Sequence, residues 1–166
     1  KNCGVVPQEV FLFSDTIANN ISFGSELKQV DREMIEKAAK QAGVYENILG
    51  FPDKFETLVG ERGVTLSGGQ KQRISIARAI INKPQLLIFD DCLSAVDSET
   101  EDLILGNLKQ ELKGKTSVIV SHRISSIKNA DLILYLKDGE IAEMGTHEEL
   151  VSLNKHYAHL NKLQKD

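Results

Sequence analysis

The sequence predicts an α/β fold: a mostly parallel sheet with an all-helical stretch inserted in it. Three observations carry this. Leu86–Phe89 and Ser117–Val120 are short continuous apolar runs, each ended by polar or acidic residues, the pattern of strands buried on both faces in a parallel sheet. Helical periodicity fills the sequence before and between them. From residue 14 to about 56 there are helix caps and stripes but no convincing strand.

Taken in order, Gly4-Val5-Val6-Pro7 reads as the end of a strand already inside a domain, and Pro7-Gln8-Glu9 as the loop that leaves it. Ser14 or Asp15 can cap a short helix from Thr16 to about Ile21. Residues 24 to 30 form a polar connection. Asp31 caps a helix whose stripe is Met34, Ile35, Ala38, Ala39 and Ala42, and Gly43 fits its C′ position. A short segment, Val44 to Leu49, leads to the turn signal Gly50-Phe51-Pro52-Asp53. Ser67 and Gln70 have capping-box spacing at the start of a helix with Ile74, Ala77, Ile80 and Ile81 on one side. Asn82, Lys83 and Pro84 close it. Ser98 and Glu101 repeat that spacing for a helix to about Leu112, ended by Gly114. A further helix is expected near Ser125–Asn129. Leu132–Leu136, Asp138-Gly139 and Glu140–Met144 spell a hairpin with a two-residue turn. Thr146 and Glu149 open a last helix, expected to run to the end of the chain.

Composition narrows the function classes. The 166 residues, 41% hydrophobic and 27% charged, suffice for one globular domain with a sizeable core. The net charge of −4 comes from interspersed acids and bases, so nucleic acid has no electrostatic footprint to bind. No apolar run approaches the ~20 residues of a membrane helix, and no signal peptide is expected. Cys3 and Cys92 lie far apart without metal-ligand spacing and read as free thiols of a reducing compartment.

Three places carry chemistry. The stretch Leu66-Ser67-Gly68-Gly69-Gln70 puts two glycines in the first turn of a helix, at roughly 1 kcal/mol each against alanine. That choice suits backbone N–H groups that approach an anion, and a helix N-terminus favours a phosphate. These residues alone fit an ordinary capped helix equally well. The strands offer the second and third places, since ligands of open α/β sheets bind at strand carboxyl ends. There Asp90 can hold Mg²⁺, Asp91 can orient or deprotonate a water, and His122 can bond a γ-phosphate. Singly, Asp90-Asp91 is a solvated strand end, His122 a loop histidine, and Gln8 an exposed amide.

In order, these signals resemble the nucleotide-binding domain of ABC transporters across nearly the whole chain. Leu66–Gln70 matches the family signature, Leu86–Asp90 its Walker B strand, and Ser94-Ala95-Val96-Asp97 its D-loop. His122 matches the switch histidine and Pro7-Gln8 the Q-loop. Thr57–Gly63 and Gly145–Leu150 look like exporter segments. The resemblance implies the C-terminal part of a P-loop ATPase (RecA-like) core, formed by residues 1–13 and 67–166, with a helical subdomain over about 14–66. It implies two such domains closing head to tail around two ATP molecules with Mg²⁺. Ser67, Gly68, Gly69 and Gln70 would then meet the γ-phosphate of ATP held mainly by a partner. Asp90, with Gln8 nearby, would serve Mg²⁺; Asp91 would polarise the attacking water; His122 would stabilise transferred charge. Asp97 would couple the two sites, and Glu9 to Ile17 would touch a transmembrane domain. The implied location is the cytoplasmic face of a membrane. The soluble ABC ATPases of DNA repair and translation share the signature and Walker B strand, but repair proteins carry long coiled-coil insertions that this sequence lacks. A non-catalytic domain that kept the fold is the third reading.

Two departures stand out. No G-x-x-x-x-G-K-[ST] loop and no upstream adenine-stacking aromatic are present. Gly114-Lys115-Thr116 does not supply the loop: position 109 is Lys109, and the tripeptide follows a helix and precedes a strand. The expectation is a truncated domain that binds ATP very weakly, does not hydrolyse it alone, and self-associates through open sheet surface. The second departure is Asp91, where the family usually has Glu. That replacement resembles one half of a heterodimeric exporter, with a slow site lined by this chain's own Walker B strand. The alternative is that Asp91 works through a bridging water.

Overall fold

The computed structural model describes residues 2–25, 30–60, 64–93 and 96–164. They pack as two compact units, Lys1–Val120 and Ser121–Asp166. Part of the polar connection, at 26–29, lies outside the described residues.

The first unit is built on a three-stranded sheet. Strands β1 (Cys3–Val6), β2 (Leu86–Asp90) and β3 (Thr116–Val120) lie in the order β1-β2-β3. Both pairings are parallel, with Val6 opposite Phe89 and Asp90 opposite Val120. The three carboxyl ends therefore lie side by side, as the apolar runs predicted. One face of the sheet is buried through Val6, Leu87 and Phe89, with Ile119 packed against the same core. The other face corrects the expectation of strands buried on both sides. Val5 is 53% exposed, Val118 45% and Val120 52%. Among the described residues β1 and β3 are both edges, and no element fully covers that face.

Among the described residues, four helices precede β2. They are α1 (Ile17–Ser22), α2 (Arg32–Gln41), α3 (Tyr45–Leu49) and α4 (Gly68–Ile80), with a 3₁₀ turn at Lys54–Glu56. α1 is capped by Thr16, whose hydroxyl accepts from Asn19 N, and not by Ser14 or Asp15. Asp15 instead accepts from Thr16 N and Asn19 Nδ2. Asp31 caps α2 as expected, and Gly43 takes the left-handed conformation at φ +67°. The chain then returns to its start. Ile17 N bonds Thr57 O, and Val59 N bonds Asp15 O, so the ends of the helical stretch are stitched together. Gly60 sits so close to Ser14 that a Cβ there would lie 2.5 Å from its Oγ. The buried faces of α1, α2 and α4 converge on Ile17, Ile35, Ile74 and Ile76.

After β2, α5 (Ser98–Glu111) leads to β3. Its cap is Asp97 rather than Ser98: the Asp97 carboxylate accepts from Thr100 N at 2.9 Å and Thr100 Oγ1 at 2.8 Å.

The second unit holds α6 (Ile124–Ile127), the hairpin β4 (Ile133–Lys137) and β5 (Glu140–Gly145), then α7 (His147–Ser152) and α8 (His156–Leu163). Asp138 and Gly139 both have positive φ, at 53° and 83°, the requirement of the expected tight turn. Thr146 and Glu149 form a complete capping box. The last helix does not run through, which corrects the expectation of a single one. It stops at Leu153, Asn154 turns left-handed at φ +51°, and α8 starts anew. The restart is held by Glu143, whose Oε1 accepts from His156 N at 2.8 Å and Tyr157 N at 3.3 Å. Ile124, Ile133, Leu150 and Tyr157 form this unit's own core.

Candidate nucleotide site

The glycine-rich turn is the N-terminus of α4. Ser67 Oγ accepts from Gln70 N at 3.2 Å, and Gln70 Oε1 accepts from Ser67 N at 2.9 Å. The capping box read from the sequence is complete. Leu66, just before it, is buried and anchors the turn from below. Ser67 and Gly68 face solvent, and Gly69 and Gln70 are half-exposed. A helix start of thirteen residues with exposed backbone donors and no side chains at two positions can receive an anion closely.

The strand ends form the second part. The register that pairs Val6 with Phe89 brings the following loops together, although Gln8 and Asp91 are 83 residues apart. Gln8 Nε2 donates to Asp91 Oδ2 at 3.5 Å. Asp91 N donates to Val120 O at 2.8 Å, which ties the end of β2 to that of β3. Asp91 itself lies in the left-handed region at φ +45°, a conformation Asp tolerates better than most residues. Asp90 is exposed beside it. The Asp90 carboxylate and the Gln8 carbonyl are oxygen donors, the type Mg²⁺ takes, so the residues fit that ion. Among the described residues no three His, Cys, Asp or Glu gather as a metal cluster. Magnesium in phosphate sites needs fewer protein ligands, because phosphates and water complete its shell.

Asp97 stands at the start of α5. Its two bonds from Thr100 hold the carboxyl below the usual range, and the positive charge of Arg73 adds to this. Arg73 lies one turn below the glycines, with its guanidinium pulled down by burial and raised by Asp97. Thus Asp97 and the glycine-rich helix, separate motifs in the sequence, share an electrostatic partner. Sequence reasoning passed over Arg73; the signal available was a cation four residues after Gly69 on a helix that buries Ile74 and Ala77. Cys92, next to Asp91, is buried, and burial pushes its thiol up to about 12.

His122 belongs to the second unit, two residues past β3. It is exposed, and its backbone carbonyl accepts from Gln164 Nε2 at 2.7 Å. Ser94-Ala95 of the D-loop match and Glu61-Arg62-Gly63 of the exporter-like segment lie outside the described residues. No described helix is long and apolar enough to cross a membrane.

The ABC transporter family model matches residues 1–94. The chain is 50% identical over 152 residues to ATP-binding cassette sub-family B member 5 of Mus musculus, covering 92% of this chain and 12% of that protein. It is 48% identical over 165 residues to the ATP-dependent lipid A-core flippase of Legionella pneumophila (strain Paris), covering 99% of this chain and 28% of the flippase. A solved bacterial Atm1-family ABC exporter with ATP bound superposes at a TM-score of 0.93 with 39% identity, covering 99% of this chain and 29% of the exporter. The chain thus spans well under a third of the length of these relatives. A family match across more than half of its residues makes the chain a member of the ABC transporter family.

Proposed function

We propose that this chain is part of the ATP-hydrolysing motor of an ABC exporter, working at the cytoplasmic face of a membrane beside a transmembrane domain. The relatives it matches include a flippase named as ATP-dependent and an exporter solved with ATP. The observation that carries the reading is the exposed, fully capped Ser67–Gln70 helix start in the same unit as the Gln8–Asp90–Asp91 strand ends.

On this reading the residues divide into two half-sites. Gly68 and Gly69 present backbone donors, and Ser67 its hydroxyl, to the γ-phosphate of ATP bound by a second nucleotide-binding domain, while Gln70 closes the capping box that shapes the turn. Asp90 and the Gln8 carbonyl would hold Mg²⁺ at this chain's own site, and the ion would supply positive charge against the phosphates there. Asp91, steadied by Gln8 Nε2, orients the attacking water, and the His122 imidazole donates to the transferred phosphoryl group. Asp97 links the half-sites across the interface. Residues 14–66 act as the helical subdomain and 1–13 with 67–166 as part of the ATPase core.

The partner is a sibling half-transporter rather than an identical copy. Asp91 in place of a longer Glu supports this, since the shorter acid suits the slow site of a pair. The test is ATP turnover by the full-length protein with and without its sibling. Turnover that needs both chains, and that Ser67→Ala in this chain slows, is the expected result; full turnover by this chain paired with itself overturns the heterodimer.

A further inference from the structure

Glycines 68 and 69 have no side chains by which the surrounding core could hold them, and the turn they form faces solvent. Leu66 anchors it from below, and a second side chain, on α4 itself, reaches its backbone. That side chain is Arg73. Its Nε donates to Gly69 O at 3.2 Å and its Nη1 to Gly43 O at 2.7 Å. The first bond holds the opening turn of α4; the second reaches Gly43, the residue after the C-cap of α2, 30 positions earlier. The same end of α2 is gripped from the other side. Asn107 Nδ2 of α5 donates to Gln41 O at 3.4 Å and Lys40 O at 3.5 Å. Leu103 and Ile104 of α5 come within 4 Å of where a Gly43 Cβ would lie. Three helices therefore meet at Gly43, and one side chain connects that junction to the glycine turn.

We infer that Arg73 is a positioning residue, fixing the direction in which the Ser67–Gly69 turn points by bonding Gly69 and Gly43 at once. This rests on the phosphate-facing role proposed above. Arginine suits the task because its planar fork sends N–H groups to two separate carbonyls, whereas a lysine ammonium is a single point. The cost of bringing its charge below the surface is offset in part by Asp97, at the start of the same α5 that grips α2. A shift of α5 or α2 is thereby transmitted to the turn. Arg73 touches no phosphate; it acts through Gly69.

The experiment is steady-state ATP hydrolysis by the full-length protein with its sibling, comparing Arg73→Met, Arg73→Lys and Ser67→Ala, with thermal unfolding of each. A misdirected turn lowers kcat on the order of 10–100-fold in Arg73→Met. KM for ATP stays within about twofold, because the turn meets phosphate in the closed, reacting complex and not in the initial binding of ATP. Arg73→Lys, with one of the two bonds, falls between. A kcat unchanged in folded Arg73→Met, or KM and kcat moving together in step with reduced thermal stability in both variants, overturns the inference. Where Arg73→Met does not fold, Arg73→Lys decides: wild-type kcat overturns it. Ser67→Ala separates the two readings. If it leaves turnover intact, the phosphate-facing role fails and the inference with it. If it slows turnover while Arg73→Met does not, the inference alone fails.

Discussion

Gln8 Nε2 and Asp91 Oδ2 lie 3.5 Å apart at the carboxyl ends of neighbouring parallel strands. The bond is at the long limit for an amide donor, so it steadies the carboxylate more than it binds it. It holds one carboxylate oxygen of Asp91 and uses the amide nitrogen of Gln8, not its carbonyl. A change at either residue is felt by the other.

That relationship makes Asp91→Glu informative. The added methylene advances the carboxylate by about 1 Å, a displacement that is worth on the order of 100-fold in rate when it corrects a misplaced group. In the full-length protein the substitution is expected to raise ATP turnover at this chain's own site. Single-turnover hydrolysis measures it. No rise would show that Asp91 already functions through its present geometry and would remove the case for a slow site.

Ser67→Ala tests the cap by stability rather than catalysis. Ser67 Oγ satisfies Gln70 N, an orphan donor of the first turn. Its loss should destabilise the first unit by about 1 kcal/mol. Ser67→Thr keeps the hydroxyl and should recover most of that. Urea unfolding midpoints of the two variants give the comparison, and equal midpoints would mean that the capping box contributes nothing.

The parts legible in the sequence are those set by chemistry within a few residues. Asp31, Ser67–Gln70 and Thr146–Glu149 could be read as caps because donor and acceptor are three residues apart. The same rule failed where neighbours competed. Ser14, Asp15 and Thr16 are all capable caps, and the bond of Ile17 N to Thr57 O fixes which one stands at the helix start. Asp97 displaced Ser98 in the same way. Burial of β3 was not legible, because Val118 and Val120 look the same whether or not anything covers their face. Glu143 holding α8 from β5 depends on tertiary placement, and its acidic neighbourhood gave no hint of it. The candidate site was legible as motifs in order. The contact between Gln8 and Asp91 follows from strand register, and Arg73 from the meeting of three helices.

The two cysteines should separate cleanly by reactivity. Cys92 is 1% exposed, and burial is the first cause that lifts its thiol to about 12, with Asp91 and Asp90 adding repulsion. Thiolate is the reactive form, so Cys92 should resist a water-soluble disulfide reagent at pH 8. Cys3 is exposed and should react at once. One thiol titrated in the native chain and two in denaturant is the expected count. Two reactive thiols under native conditions would contradict the burial beside Asp91.

Asp97 gives a pH dependence with a definite sign. The Thr100 backbone N–H is the largest cause holding its carboxyl below the ordinary 3.8, followed by the Thr100 hydroxyl and, more weakly, Arg73. A folded value lower than the unfolded one means that the ionised form favours the folded state. The stabilisation is complete above the unfolded value and is lost as pH falls through the folded one. Asp97→Asn should therefore be less stable than the parent chain at pH 6, and the gap should close on acidification below the ordinary carboxylate range. Asn still accepts from Thr100 N but its amide nitrogen cannot accept from Thr100 Oγ1, so the gap at pH 6 reports the charge together with that second bond. Arg73→Met should narrow the same gap, because it removes the cation that favours ionised Asp97. Urea unfolding of the three variants from pH 2 to 6 measures this, and a gap independent of pH would show that Asp97 titrates alike in folded and unfolded chains.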